Sequence, residues 1–192
     1  MKAILWLLLE TVASLVAGLC LLRAYAWSLG IAPLNNQLVN FSHAITQWLV
    51  KPVRQIVKPA GRYDWSSLVG ALLLALLTSV AFYLLLGMGL SVARVPLLAV
   101  LWLIRWALYL AMMLIIGSAL LSLINPHAPL AYPLRALSDP LMRPFRRVLP
   151  LFGSFDLSPL VAILVIQILL VLFDPTVVMN MLGGAVMGYQ GD

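Results

Sequence analysis

Four apolar stretches of about membrane-span length, at 3–28, 67–90, 95–124 and 157–173, limit what this chain can fold into more than any other feature. About 20 consecutive apolar residues carry an α-helix across roughly 30 Å of hydrocarbon, and lipid offers no partner to an unpaired backbone N–H or C=O, so such runs must be helical. The composition agrees: 64% of residues are hydrophobic and 9% charged, against about 45–50% and about 25% in soluble domains. A soluble globule is excluded, and the fold class read from the sequence is an all-α membrane protein with four transmembrane helices.

The N-terminus, Met1-Lys2 followed by Ala3 to Leu9, has the look of a signal peptide, but Glu10 interrupts the apolar region and no small-x-small site follows. Leu19 stands before Cys20 where a lipoprotein cleavage box needs a small residue, so the segment is read as a retained span. Cys20 is the only cysteine, which removes any internal disulfide or thiolate cluster. The link Ser91 to Pro96, with Arg94 as its polar punctuation, makes the second and third spans antiparallel neighbours. The tail from Asp174 is mixed in character and reads as a short surface helix or as disorder.

The chain is internally duplicated. A constant shift of 92 residues places Leu49 to Val69 over Leu141 to Val161 and matches Pro52 with Pro144, Arg54 with Arg146, Gly61 with Gly153, Asp64 with Asp156 and Ser66 with Ser158. Apolar bias does not produce matches at Gly, Pro and charged positions. The organisation is therefore a first repeat over 1–92, a second over 93–176 and a tail over 177–192, and two spans per repeat give both repeats the same orientation.

Between its two spans each repeat carries an amphipathic segment. Phe41, Ile45, Trp48, Leu49, Val53 and Ile56 form one stripe, with Asn40, His43, Gln47, Lys51, Arg54 and Lys58 opposite. Leu134, Leu137, Leu141, Phe145 and Val148 face Arg135, Asp139, Arg143 and Arg146 in the second copy. That pattern suits a helix lying in the membrane interface, its cations reaching phosphates while its apolar side sinks into the acyl boundary. Pro52, Pro140 and Pro144 are expected to bend or break these helices. The net charge of +6 then points to anionic lipid and topology, with no nucleic acid as partner. Four Lys/Arg in 29–65 and four in 125–156, against Lys2 and Arg94 across the membrane, put both loops in the cytoplasm and the termini in the periplasm of a bacterial inner membrane.

The runs Leu123-Ile124-Asn125-Pro126, Ser138-Asp139-Pro140-Leu141-Met142-Arg143-Pro144-Phe145-Arg146-Arg147 and Gly153-Ser154-Phe155-Asp156-Leu157-Ser158-Pro159 resemble the YggT family, and the duplication extends the resemblance over nearly the whole chain. The first copy departs from the pattern with Gln47-Trp48 for Asp-Pro, Gln55 for Arg and Ser67 for Pro, so contacts made by those positions belong to the second repeat. The resemblance implies an integral membrane protein linked to osmotic-stress tolerance, cell division or nucleoid organisation, with chloroplast relatives acting in cytochrome b6 haem attachment. It implies no enzyme activity.

Below the family level, Glu10 and Arg105 stand out because ionisable groups inside spans are costly. Their comparable depths predict an intramembrane ion pair, which serves either as a static tie between repeats or as part of an ion pathway with Thr78, Ser79 and Gln167. Ser and Thr within spans also bond their own helix backbone. Arg23 is expected to snorkel to the loop side as an anchor. Asp64 with Ser66, and Asp156 with Ser158, read either as helix caps or as a polar site at the membrane face. Lys51, Arg54, Lys58, Arg143, Arg146 and Arg147 either clamp lipid phosphates and other anions or form a solvated face that sets topology. His43 and His127 are isolated and lack metal or haem ligand spacing. No catalytic motif is present, and no cofactor or metal is expected. The sequence reading is a non-enzymatic membrane protein binding anionic lipid through basic interfacial helices. An ion pathway through Glu10 and Arg105, or an assembly factor for a partner such as a haem-bearing cytochrome, is the alternative.

Overall fold

The computed structural model describes residues 2–59, 61–86, 94–148 and 156–181. Among them seven α-helices follow in order: α1 (Lys2–Ser28), α2 (Gln37–Ile56), α3 (Trp65–Leu86), α4 (Arg94–Ile124), α5 (Ala131–Val148), α6 (Ser158–Leu172) and α7 (Pro175–Met181). The duplication is visible in the elements. A shift of 92 residues sets the end of α5 on the end of α2 and puts Ser158, the first residue of α6, on Ser66 in the first turn of α3.

Three helices, α1, α3 and α4, are long and apolar enough to cross a membrane. The fourth expected span is shorter: the 15 residues of α6, at about 1.5 Å each, cover about 22 Å of the roughly 30 Å hydrocarbon layer. Asp174 and Pro175 then break the chain before α7, since Pro175 cannot continue a helix and is suited to starting one. The tail thus begins as a helix, while 182–192 and the link residues 87–93 lie outside the described residues, as do 149–155 of the second family motif.

Small residues set the packing. Ala17 and Cys20 of α1, Ala71 and Ala75 of α3 and Ala99 of α4 are fully buried in one cluster, because in lipid close backbone approach replaces the hydrophobic drive that holds soluble helices together. Trp102, Trp106 and Tyr83 fill the rest of that cluster, with Trp6 against Phe82 at 5.1 Å between ring centroids. α4 packs on both α5 and α6, as α1 packs on α2 and α3, and α1 meets α4 across the repeat boundary.

The turn after α1 is closed by Gly30 at φ +71°, with Ile31 N–H donating to Ala26 O at 3.0 Å, a helix stop that favours glycine for its left-handed backbone. Asn36 then caps α2, its Oδ1 accepting from Leu38 N and Val39 N at 3.0 and 3.3 Å. Its Nδ2 donates to Pro133 O in the second repeat at 3.1 Å, and Tyr25 Oη donates to Leu137 O at 3.0 Å. These bonds stitch the repeats together through α5.

Neither amphipathic helix breaks at its prolines: α2 runs through Pro52 and α5 through Pro140 and Pro144. Pro52 and Pro144 lie on exposed faces, where the carbonyl each one frees can be solvated, and that lowers the cost of an interior proline. Each helix shows two apolar characters. Val39, Ser42, Thr46 and Val50 of α2 are buried against the bundle, while Phe41, Trp48 and Ile56 are 57%, 66% and 87% exposed on its other side.

Candidate functional site

The most polar part of the interior lies where the last turns of α1 meet α2 and the start of α3. Asp64, fully buried directly before α3, accepts hydrogen bonds from the hydroxyls of Ser66 and Ser67, the latter at 2.7 Å. Arg23 Nε donates to its Oδ2 at 3.4 Å, and an Arg54 guanidinium nitrogen lies 4.0 Å away. Burial pushes the Asp64 carboxyl up, but the two hydroxyls and the Arg23 and Arg54 charges outweigh it and hold the group below its ordinary value of 3.8.

The loop is clamped so that Asp64 cannot drift. Gly61 takes φ +59°, its carbonyl accepts from Trp27 Nε1 at 3.3 Å, and Arg62 Nε donates to Ser28 O at 3.3 Å. Arg54 lies over the Trp27 ring at 5.9 Å. On α2, His43, Gln47, Lys51 and Arg54 recur at three- and four-residue spacing, so they share one stripe, and with Arg23 they line a cavity of about 170 Å³. His43 is depressed from 6.5 to about 4, by burial first and then by the Arg23 and Arg54 charges, so the imidazole is neutral near pH 7. Arg54 Nε is buried and finds no hydrogen-bond partner among the described residues.

The second repeat builds the same corner differently. Arg146, the counterpart of Arg54, bonds both Asp156 at 3.1 Å and Asp139 at 3.2 Å, and Asp156 also accepts from Ser158 N at 2.9 Å at the start of α6. Asp139 occupies the position of Gln47, and Ile115, buried, occupies that of Arg23. The corner is more open, with Arg146 and Asp156 side chains 48% and 31% exposed.

Several expected placements change. Arg23 does not snorkel: it is buried and tied to Asp64, because α1 meets α3 where a carboxylate is already held. Glu10 and Arg105 form no ion pair. Arg105 instead donates to Asp174 and to Tyr109 Oη, the latter at 3.1 Å, and stacks at 5.6 Å over Trp102. The partner is Asp174 because α6 stops short and delivers that carboxylate to the depth of Arg105. Thr78 and Ser79 bond the backbone carbonyls of Leu74 and Ala75, and Gln167 is exposed. Lys58, Arg143 and Arg147 are exposed, and His127 lies exposed in the α4–α5 turn. Asp64 and Ser66, Arg54 and Lys51 are brought together, while Lys58 stands apart from the cavity lining.

The stripe of His43, Gln47, Lys51 and Arg54 was read from the sequence, but Arg23, read as a snorkelling anchor, was not assembled with it or with Asp64. The signal available was the 92-residue shift, which shows Gln47 replacing an aspartate and an arginine standing where the second repeat has Ile115. A larger cavity of about 350 Å³ between α1 and α4 is lined chiefly by apolar groups such as Leu21, Ala24, Leu110 and Leu114.

Helices of spanning length, a two-fold repeated span, amphipathic helix and span, and charged corners at the helix junctions define an all-α membrane protein built by duplication. The model of the CCB3/YggT family matches residues 1–85 and again 97–177, one match to each repeat. The chain belongs to the CCB3/YggT family. It is 27% identical to YggT of Escherichia coli over 170 residues, covering 84% of this chain and 85% of that one. An uncharacterized protein of Pseudomonas aeruginosa is 32% identical over 166 residues, 84% of each chain, and one of Haemophilus influenzae is 29% identical over 150 residues, 78% of this chain and 77% of that one. No solved structure matches the chain.

Proposed function

We propose that this is a non-enzymatic integral protein of the bacterial inner membrane whose helices α2 and α5 lie in the cytoplasmic interface and bind anionic lipid. The observation that carries the reading is the pairing, on one helix, of exposed apolar side chains such as Phe41 and Trp48 with exposed cations such as Lys51, and the recurrence of exposed Arg143 and Arg147 on α5. Such faces gain both from acyl burial and from headgroup attraction, each basic residue near the surface contributing about 1 kcal/mol. The cytoplasmic orientation rests on the concentration of Lys and Arg in the loops 29–65 and 125–156. A role in osmotic-stress tolerance or membrane organisation is the cellular counterpart of this reading.

An ion pathway through Glu10 has less support, because Arg105 is closed onto Asp174 and the hydroxyls of Thr78 and Ser79 are turned to their own helix. The test is lipid selection. The full chain in nanodiscs of mixed phosphatidylcholine and phosphatidylglycerol is expected to enrich the anionic lipid around it, less so at high salt. Arg143→Ala with Arg147→Ala reduces that enrichment. No enrichment in the wild type, or enrichment indifferent to salt and to both substitutions, overturns the reading.

A further inference from the structure

The two repeats solve the same electrostatic problem with different numbers of carboxylates. In the second, Arg135, Arg143 and Arg146 stand against Asp139 and Asp156, one positive charge in excess, and Arg146 uses both carboxylates directly. In the first, Arg23, Lys51 and Arg54 surround a cavity whose only adjoining acid among the described residues is Asp64. Gln47 stands where Asp139 would supply the second carboxylate, and Arg23 adds a guanidinium that the second repeat lacks. The corner therefore carries two positive charges in excess: Arg23, its side chain 5% exposed, is paired with Asp64, while Lys51 is exposed and Arg54, its side chain 38% exposed, keeps a buried Nε without a partner among the described residues. A buried guanidinium N–H left without a partner is costly. The space beside it, about 170 Å³, is an order of magnitude more than the about 10–15 Å³ that one water needs.

We propose that this cavity between α1 and α2 binds an oxyanion, a phosphate group from a lipid headgroup or from solution, in the place that the Asp139 carboxylate takes in the second repeat. Guanidinium groups suit such a ligand because their planar N–H forks match two oxygens at once. Lys51 adds a point charge at the mouth, and Gln47 supplies an amide donor where a carboxylate would repel the ligand. The second repeat fills its own corner; the first is built to be filled from outside. The proposal deepens the lipid-binding reading and shares with it only the setting at the membrane interface.

His43 reports on the cavity, and His127, exposed in a distant turn, serves as a control in the same spectrum. The groups facing His43 are Arg23 from α1, Gln47, Lys51 and Arg54 from its own helix, and Asp64 at the start of α3. The experiment follows both imidazoles by nitrogen NMR across pH, using the full chain in phosphatidylcholine nanodiscs titrated with inorganic phosphate, and in nanodiscs containing phosphatidylglycerol. A bound anion favours the imidazolium, so the His43 midpoint rises by about one unit or more with the ligand while His127 stays. Gln47→Asp, which installs the carboxylate of the second repeat, abolishes that ligand-dependent rise, and Lys51→Ala weakens binding by about tenfold.

A response to phosphate alone identifies a soluble ligand, and a response to phosphatidylglycerol alone identifies a headgroup; either supports the site. No response to both probes, or a response that survives Gln47→Asp, overturns it. Arg143→Ala with Arg147→Ala leaves the His43 response intact, so loss of lipid enrichment at the exposed faces and loss of the pocket are separate results.

Discussion

Asp64→Ala tests whether the buried corner holds the first repeat together. The substitution leaves the Arg23 guanidinium at 5% side-chain exposure with its counter-charge gone. Breaking a buried ion pair from one side costs about 3–5 kcal/mol. Ser66 and Ser67 also lose their acceptor, but hydroxyls in a first helical turn can rotate to backbone or water, so they add little. Arg54, with its side chain 38% exposed and 4.0 Å away, contributes little as well. The matched substitution Asp156→Ala removes the acceptor of the Ser158 N–H at the start of α6, about 1 kcal/mol, and one of two partners of a half-exposed arginine, about 0–1 kcal/mol. Arg146 retains Asp139 at 3.2 Å. The first substitution is thus expected to cost more than the second, about 3–5 against about 1–2 kcal/mol, read as midpoint shifts in denaturant unfolding of the full chain in one detergent. Arg23→Met with Asp64→Asn removes both charges and should recover much of the loss. Equal losses at the two aspartates, or a double variant no better than Asp64→Ala, would refute the reasoning.

Two other perturbations follow from the same geometry. His43, at about 4 in the folded protein and 6.5 ordinarily, binds fewer protons folded than unfolded between those values, so its contribution is fully present above pH 6.5 and is lost as pH falls toward 4; unfolding midpoints of wild type and His43→Gln should converge on acidification across that window. Arg105→Ala strips Asp174 of its cation at the end of the short span, and should lower the thermal midpoint more than Arg105→Met combined with Asp174→Asn, which leaves no charge behind; the reverse order in a melting series would sink this account.

The spans were legible because apolar run length is a one-dimensional property: α1, α3 and α4 lie within a few residues of the stretches visible in the chain. The helices α2 and α5 were legible for the same reason, their periodicity being local. The partners of the charged residues were not. Arg23 and Asp64 are 41 residues apart, and only the approach of α1 to α3 over Ala17, Cys20, Ala71 and Ala75 brings them together. Depth arithmetic put Arg105 level with Glu10, but it compared the first and third spans alone; Asp174, just past the end of α6 at Leu172, is the carboxylate that reaches Arg105. Prolines in α2 and α5 misled because the rule against interior proline weighs a buried carbonyl, and here Pro52 and Pro144 lie on exposed faces and Pro140 is half-buried.

The bonds from Tyr25 and Asn36 to the backbone of α5 run in one direction only. The same shift that relates the repeats puts Gly117 at the position of Tyr25 and Ala128 at that of Asn36, and neither has a side chain able to reciprocate. A single-repeat ancestor pairing with its own copy would have had to make any such tie twice or not at all. Here the first half holds the second without being held in the same way, so the halves are no longer interchangeable: two copies of the second repeat would lack the clasp, and two copies of the first would carry the unbalanced cationic corner twice.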